Sequence, residues 1–186
     1  MLSKVAFQQI LHRHPNLNVD LFASRLNHQL ETYASWELDP FCTYINAFTV
    51  DWGKLNFYTF PPFSLIQRCI QKIRMDHAKG ILVAPLWPTL AWFPQLLQLL
   101  YSQPWVLHKT AELLSHPHYT THPIPNLRLI VGPVSGNHSH IYSYLTMLCK
   151  LPCRPGEEVP KNNTTPISPS GWTFVIRDRL ITISQD

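Results

Sequence analysis

The sequence predicts an α/β fold: a small, mostly parallel sheet with flanking helices and a C-terminal β-hairpin. Three observations predict it. Apolar runs of strand length alternate with segments of helical periodicity, the pattern of a three-layer sheet. One such run, Ile81 to Ala84 (ILVA), is apolar throughout, as a strand buried on both faces must be. Finally, Gly171 to Ser184 (GWTFVIRDRLITIS) alternates around Arg177-Asp178, like the two arms of a hairpin.

Each element has its own local reason. Ser3 caps a first helix that carries Val5, Ala6, Phe7, Ile10 and Leu11, and His14-Pro15 ends it. Leu17 to Ala23 (LNVDLFA) reads as a short buried strand, and Thr32 to Ser35 as a brief second one. Glu37 to Gly53 lacks clean periodicity and is expected to be irregular. Leu55 to Phe60 (LNFYTF) is an aromatic-rich strand that stops at Pro61-Pro62. Leu65, Ile66, Cys69, Ile70 and Ile73 then repeat at helical spacing, with Gln67, Arg68, Gln71 and Lys72 opposite. After the ILVA strand, helices are expected over about Trp92 to Tyr101 and Ile141 to Leu151, with strands at Trp105 to Leu107 and Leu127 to Val131. Cys153 to Ser170 is rich in Pro, Asn, Thr and Ser and reads as a linker. The expected organisation is one domain over 1–152, the linker over 153–170 and the hairpin over 171–186.

Composition narrows the function classes. The chain has 186 residues, 45% hydrophobic and only 14% charged, which excludes a disordered chain and suits a surface that packs against neighbours. A net charge of +4 is compatible with nucleic acid without requiring it. Polar residues from Lys4 to Arg13 break any signal-peptide core, and no run approaches the ~18 apolar residues of a membrane span. An intracellular location with no membrane partner is expected. His116, His118, His122, His138 and His140, with Cys149 and Cys153, carry zinc-ligand chemistry, but prolines interrupt their spacing; no metal is expected.

In parallel sheets the ligand crevice lies beyond the carboxyl ends of the strands. Here that means Asp20 to Ser24, Phe60 to Phe63 and Pro85 to Trp87. The run Val19-Asp20-Leu21-Phe22-Ala23-Ser24-Arg25-Leu26-Asn27 resembles a segment of DIRS-type, tyrosine-recombinase retrotransposon polyproteins. So do Phe60-Pro61-Pro62-Phe63-Ser64-Leu65-Ile66 and Gly80-Ile81-Leu82-Val83-Ala84-Pro85, with Trp87-Pro88 and Trp92-Phe93-Pro94. In those polyproteins the segment lies downstream of the reverse transcriptase and RNase H. It resembles in turn the phage-type Dam family of DNA adenine methyltransferases. That resemblance implies a small Rossmann-like, methyltransferase-like sheet, S-adenosylmethionine as cofactor, and an Asn/Asp-Pro-Pro-Tyr/Phe tetrapeptide in the active site.

The tetrapeptide has a physical task. Adenine's exocyclic amine has its lone pair delocalised into the ring, so two acceptors must hold its hydrogens and favour the pyramidal form. A terminal aromatic stacks on the extruded base. The matching residues are Phe60, Pro61, Pro62 and Phe63, and Phe60 offers no acceptor. Losing a preorganised polar group at a reacting centre costs on the order of 10²–10³ in rate. Asp20, Phe22 and Ala23 stand where the cofactor would bind, with Asp39 or Asp51 for its ribose hydroxyls, yet the glycines usual in such a loop are replaced by Ala23-Ser24-Arg25. Arg68, Lys72 and Lys79 are expected to form a basic stripe beside the crevice, with Tyr58, Phe63 and Trp87 as stacking surfaces for DNA or RNA.

The expectation is therefore a retrotransposon-derived, catalytically degenerate methyltransferase-like domain. Its role is structural or nucleic-acid-binding, it needs no cofactor, and its partners are nucleic acid or other polyprotein domains. Two alternatives stand beside it: an active S-adenosylmethionine-dependent enzyme, and a non-functional fragment of a decayed element.

Overall fold

The computed structural model describes residues 1–107, 114, 127–148 and 171–185. Helix α1, Lys4–Arg13, starts where the Ser3 hydroxyl accepts from the Ala6 N–H (3.3 Å). Strands β1 (Val19–Asp20), β2 (Ala34–Ser35) and β3 (Tyr44–Ile45) follow. Two short 3-10 turns, Ala47–Thr49 and Trp52–Lys54, are capped by Asn46 and Asp51. They give form to a stretch whose sequence has no periodicity.

Strand β4 (Asn56–Thr59), helix α2 (Ile66–Met75) and strand β5 (Lys79–Pro85) make a parallel β-α-β unit. The rest comprises α3 (Trp92–Leu97), β6 (Trp105–Val106), β7 (Leu129–Ser135), α4 (His138–Met147), β8 (Gly171–Ile176) and β9 (Arg179–Gln185). The last two form the expected hairpin, with Arg177 and Asp178 both at positive φ in its turn.

The main sheet runs β1-β4-β5-β7-β6-β9-β8. It is mixed: β7 and β8 oppose the direction shared by the other five strands. A parallel bridge between Asp20 and Tyr33 continues the order outward through β2 to β3. The full sequence of neighbours from that edge is thus 3-2-1-4-5-7-6, with β9 and β8 appended.

Alternate side chains enter two cores. On one face Phe7 and Ile10 of α1 pack on Tyr58, Ile81, Val83 and Val131. On the other, α2, α3 and α4 cover Phe57, Leu82, Ala84 and Ile130, which makes three layers. The hairpin belongs to this second core, since Phe174, Ile181 and Ile183 are buried in it and Phe174 meets Phe93 at 5.2 Å between ring centroids. Several expected boundaries shift; α3 stops at Leu97, short of Tyr101, and α4 begins at His138, ahead of Ile141. The first strand is only two residues long, because the backbone turns away at Leu21. Strand β7 continues through Gly132-Pro133 to Ser135.

Candidate functional site

Strands β1 and β4 run side by side, with Asp20 opposite Tyr58. Since β2 lies on the far side of β1, the strand order reverses between these two, the place where open α/β sheets leave a crevice. A cavity of about 370 Å³ opens there. Asp20, Phe22, Asn27 and Gln29 line one part of it, Tyr58 and Phe60 to Phe63 another, and Met1 and Leu2 also reach it. The fold thereby joins Asp20 and Phe22 to the tetrapeptide forty residues on.

Asp20 is 3% exposed, and burial pushes its carboxyl up to about 6 despite the N–H bonds it accepts from Gln29 and Phe22. Those bonds, 3.1 and 3.4 Å, tie down the loop that follows β1. The same loop spends its other donors internally. Leu21 and Ala23 donate to the Tyr58 and Ala34 carbonyls. Ser24 donates to Asn27 Oδ1 (2.6 Å), Arg25 to Asp39 Oδ2 (3.0 Å) and Leu26 to Ser24 Oγ (3.4 Å). Asn27 and His28 both donate to the Ser24 carbonyl. Every backbone N–H from Leu21 to Gln29 is therefore taken, and none is left to face a ligand.

The other acidic candidates are likewise committed. Asp39 accepts from the Phe41 N–H, the Tyr33 hydroxyl (2.8 Å) and the Arg25 N–H, and these bonds hold its carboxyl below the ordinary range. It anchors the loop and does not line the crevice. Asp51 precedes β4, so it stands at the opposite rim of the sheet, where it caps a 3-10 turn and pairs with Lys54 at 3.5 Å. Expected to reach ribose hydroxyls, it is instead at the wrong end of the strands. Ala23 is buried behind the lining, its N–H in the bond to Ala34.

The tetrapeptide packs as an aromatic and proline wall. Phe60 and Phe63 have ring centroids 6.2 Å apart, and Phe63 meets Trp87 edge-on at 5.2 Å. Trp87 thus backs the lining without joining it. Such a wall receives the face of a planar apolar group. Just before it, the Thr59 hydroxyl is buried without a hydrogen-bond partner.

The basic residues expected beside the crevice are elsewhere. Lys72 is consumed in a 2.8 Å ion pair with Asp76 and lies over the Trp52 ring. Arg68 sits 3.9 Å above the Phe48 ring. Lys79 opens β5 at the opposite rim, over Tyr101. None lines the crevice. What the sequence concealed was Asn27, Gln29 and the amino-terminal Met1-Leu2 pair. Gln29 Nε2 donates to the Leu2 carbonyl at 2.8 Å, a contact across 27 residues that no local pattern announces.

Among the described residues no group of three His, Cys, Asp or Glu side chains is placed to hold a metal ion. His116, His118, His122, Cys149 and Cys153 lie outside the described residues, as does the linker over 153–170. No described helix is long and apolar enough to cross a membrane. No model of a protein family matches the chain, and no curated protein matches it either.

Proposed function

We propose that this chain is a methyltransferase-like domain of the retrotransposon-polyprotein kind that no longer transfers methyl groups. Its crevice is kept as a structural or nucleic-acid-binding feature. Support for the fold half of this reading comes from the strand order. The run 3-2-1-4-5-6 is that of doubly wound nucleotide-binding sheets. An antiparallel strand slipped between the fifth and sixth, as β7 is here, resembles the sheet of S-adenosylmethionine-dependent methyltransferases. The tetrapeptide follows the strand next to β1, at the mouth of the crevice.

One observation carries the loss of activity: the loop over Leu21 to Gln29 satisfies all its own N–H groups. A loop that is to cradle S-adenosylmethionine must leave donors for it and allow its backbone a close approach. This loop does neither, and Asp39 and Asp51 are engaged elsewhere. The residues present do not fit the cofactor. Phe60 adds the second defect, an aromatic edge where the adenine amine needs an acceptor.

Isothermal titration of the whole chain with S-adenosylmethionine is expected to give no binding heat at millimolar ligand, and a methyl-transfer assay on adenine-containing DNA no product. Saturable heat together with methylated adenine would return the chain to the active enzymes.

A further inference from the structure

A second concave site lies on the opposite rim of the sheet, where α2 ends, β5 begins, β7 ends and α4 starts. These elements meet at Gly136. Its N–H donates to the Ala78 carbonyl (2.8 Å), and an added Cβ would collide with the Ile73 carbonyl and lie 2.9 Å from His77 Cα. Beside the junction is a cavity of about 220 Å³ lined by Arg74, His77, Gln98, His138 and Arg177, among others.

No carboxylate lines it. Arg74 reaches only the neutral Gln98 Oε1, at 3.3 Å. Neither arginine has an acidic partner among the described residues. The nearest acid in sequence to Arg74, Asp76, is spent on Lys72 and on the Trp52 N–H (2.9 Å). His77 donates from Nδ1 to the Gly136 carbonyl at 3.3 Å, which leaves Nε2 uncommitted. Two arginines and two histidines from separate elements thus share one hollow without a counter-charge, an arrangement that an entering anion stabilises. His77 and Arg177 also hold left-handed backbone, φ 49 and 48, where glycine or asparagine is the easier choice. Both side chains line this cavity.

We propose that this cavity binds a phosphate group. The planar fork of a guanidinium matches paired phosphate oxygens, and two such forks suit a tetrahedral oxyanion. The N–H of His138, in the first turn of α4, meets no acceptor among the described residues, and His138 lines the cavity. The hollow holds a phosphate with a small part of the molecule that carries it. It is independent of the crevice, so it stands whether or not that crevice has lost its chemistry.

The test titrates the whole chain, at matched ionic strength, with inorganic phosphate, pyrophosphate and a short single-stranded oligodeoxynucleotide. The proteins compared are the unaltered chain, Arg74→Gln and Arg177→Gln, with thermal denaturation to verify that both variants stay folded. Either substitution is expected to weaken binding about tenfold or more. Oligodeoxynucleotide binding lost in the same variants assigns the site to a nucleic-acid backbone. Phosphate or pyrophosphate binding without oligodeoxynucleotide binding assigns it to a free phosphorylated small molecule. No heat from any of the three, or binding that both variants retain unchanged, overturns the proposal.

Discussion

Asp20 shows how a residue that suggests cofactor binding in the sequence acts as a fastener in the fold. It ends β1, faces Tyr58 across the ladder, and gives one carboxylate oxygen to each of two loop N–H groups. Burial lifts it from 3.8 to about 6, and its charge together with burial raises the Tyr58 hydroxyl well above its ordinary value. The sign of the consequence follows from linkage. A carboxyl that binds its proton more tightly when folded stabilises the protein fully below the unfolded value of 3.8. That contribution is lost as pH rises through about 6. The difference is worth roughly 3 kcal/mol. Urea denaturation across this range should therefore show unaltered protein losing stability relative to Asp20→Asn as pH rises. A constant gap between the two would mean the carboxyl is not desolvated as described. Its position before a turn was legible in the sequence; its confinement was not, because Gln29 and Tyr58 approach it only after folding.

Elements whose evidence is local were the ones the sequence announced. Helix α2 follows from Ile66, Cys69, Ile70 and Ile73 at helical spacing, all four fully buried. Strand β5 follows from its apolar run, and at its second residue only glycine fits. A Cβ on Gly80 would collide with the Phe57 carbonyl oxygen and lie 2.6 Å from the Phe57 ring. Gly80→Ala must push β4 and β5 apart near the amino-terminal ends of both strands, at an expected loss of about 1–3 kcal/mol. Chemical denaturation reads this directly, and unchanged stability would show that the two strands are less tightly packed than drawn. Strand β7, expected to end at Val131, runs on through Gly132-Pro133, where the proline could be taken for a break in the ladder. The structure explains why it is none. Pro133 accepts from the Tyr101 N–H at 3.1 Å, so its backbone polar edge faces away from β5, and the absent N–H costs that ladder nothing.

At the scale of the whole molecule, the sheet gathers residues that sequence alone leaves scattered. Asp20, Gln29 and Phe60 share one crevice, while Arg74, His77 and Arg177 share another hollow at the far rim. The alternation of strands and helices made the first place predictable, through the rule for carboxyl ends. No such rule leads to the second, which depends on the turn of a hairpin that joins the sheet beside β6. The hairpin is itself structural: β9 pairs with β6, and Phe174 is buried against Phe93. Under the proposed function the crevice carries two defects, in the loop and in the tetrapeptide, and a single substitution tests which of them governs. If Phe60 were the sole defect, Phe60→Asn would restore an acceptor beside Pro61 and recover a measurable part of the ~10²–10³ in rate that such a group supplies. The loop over Leu21 to Gln29 argues otherwise, since its donors stay occupied whatever residue stands at position 60. Phe60→Asn is therefore expected to remain inactive in a tritium-transfer assay on adenine-containing DNA, with its fold verified by circular dichroism. Methylation by that single variant would mean that the loop opens for the cofactor and that only the tetrapeptide had decayed.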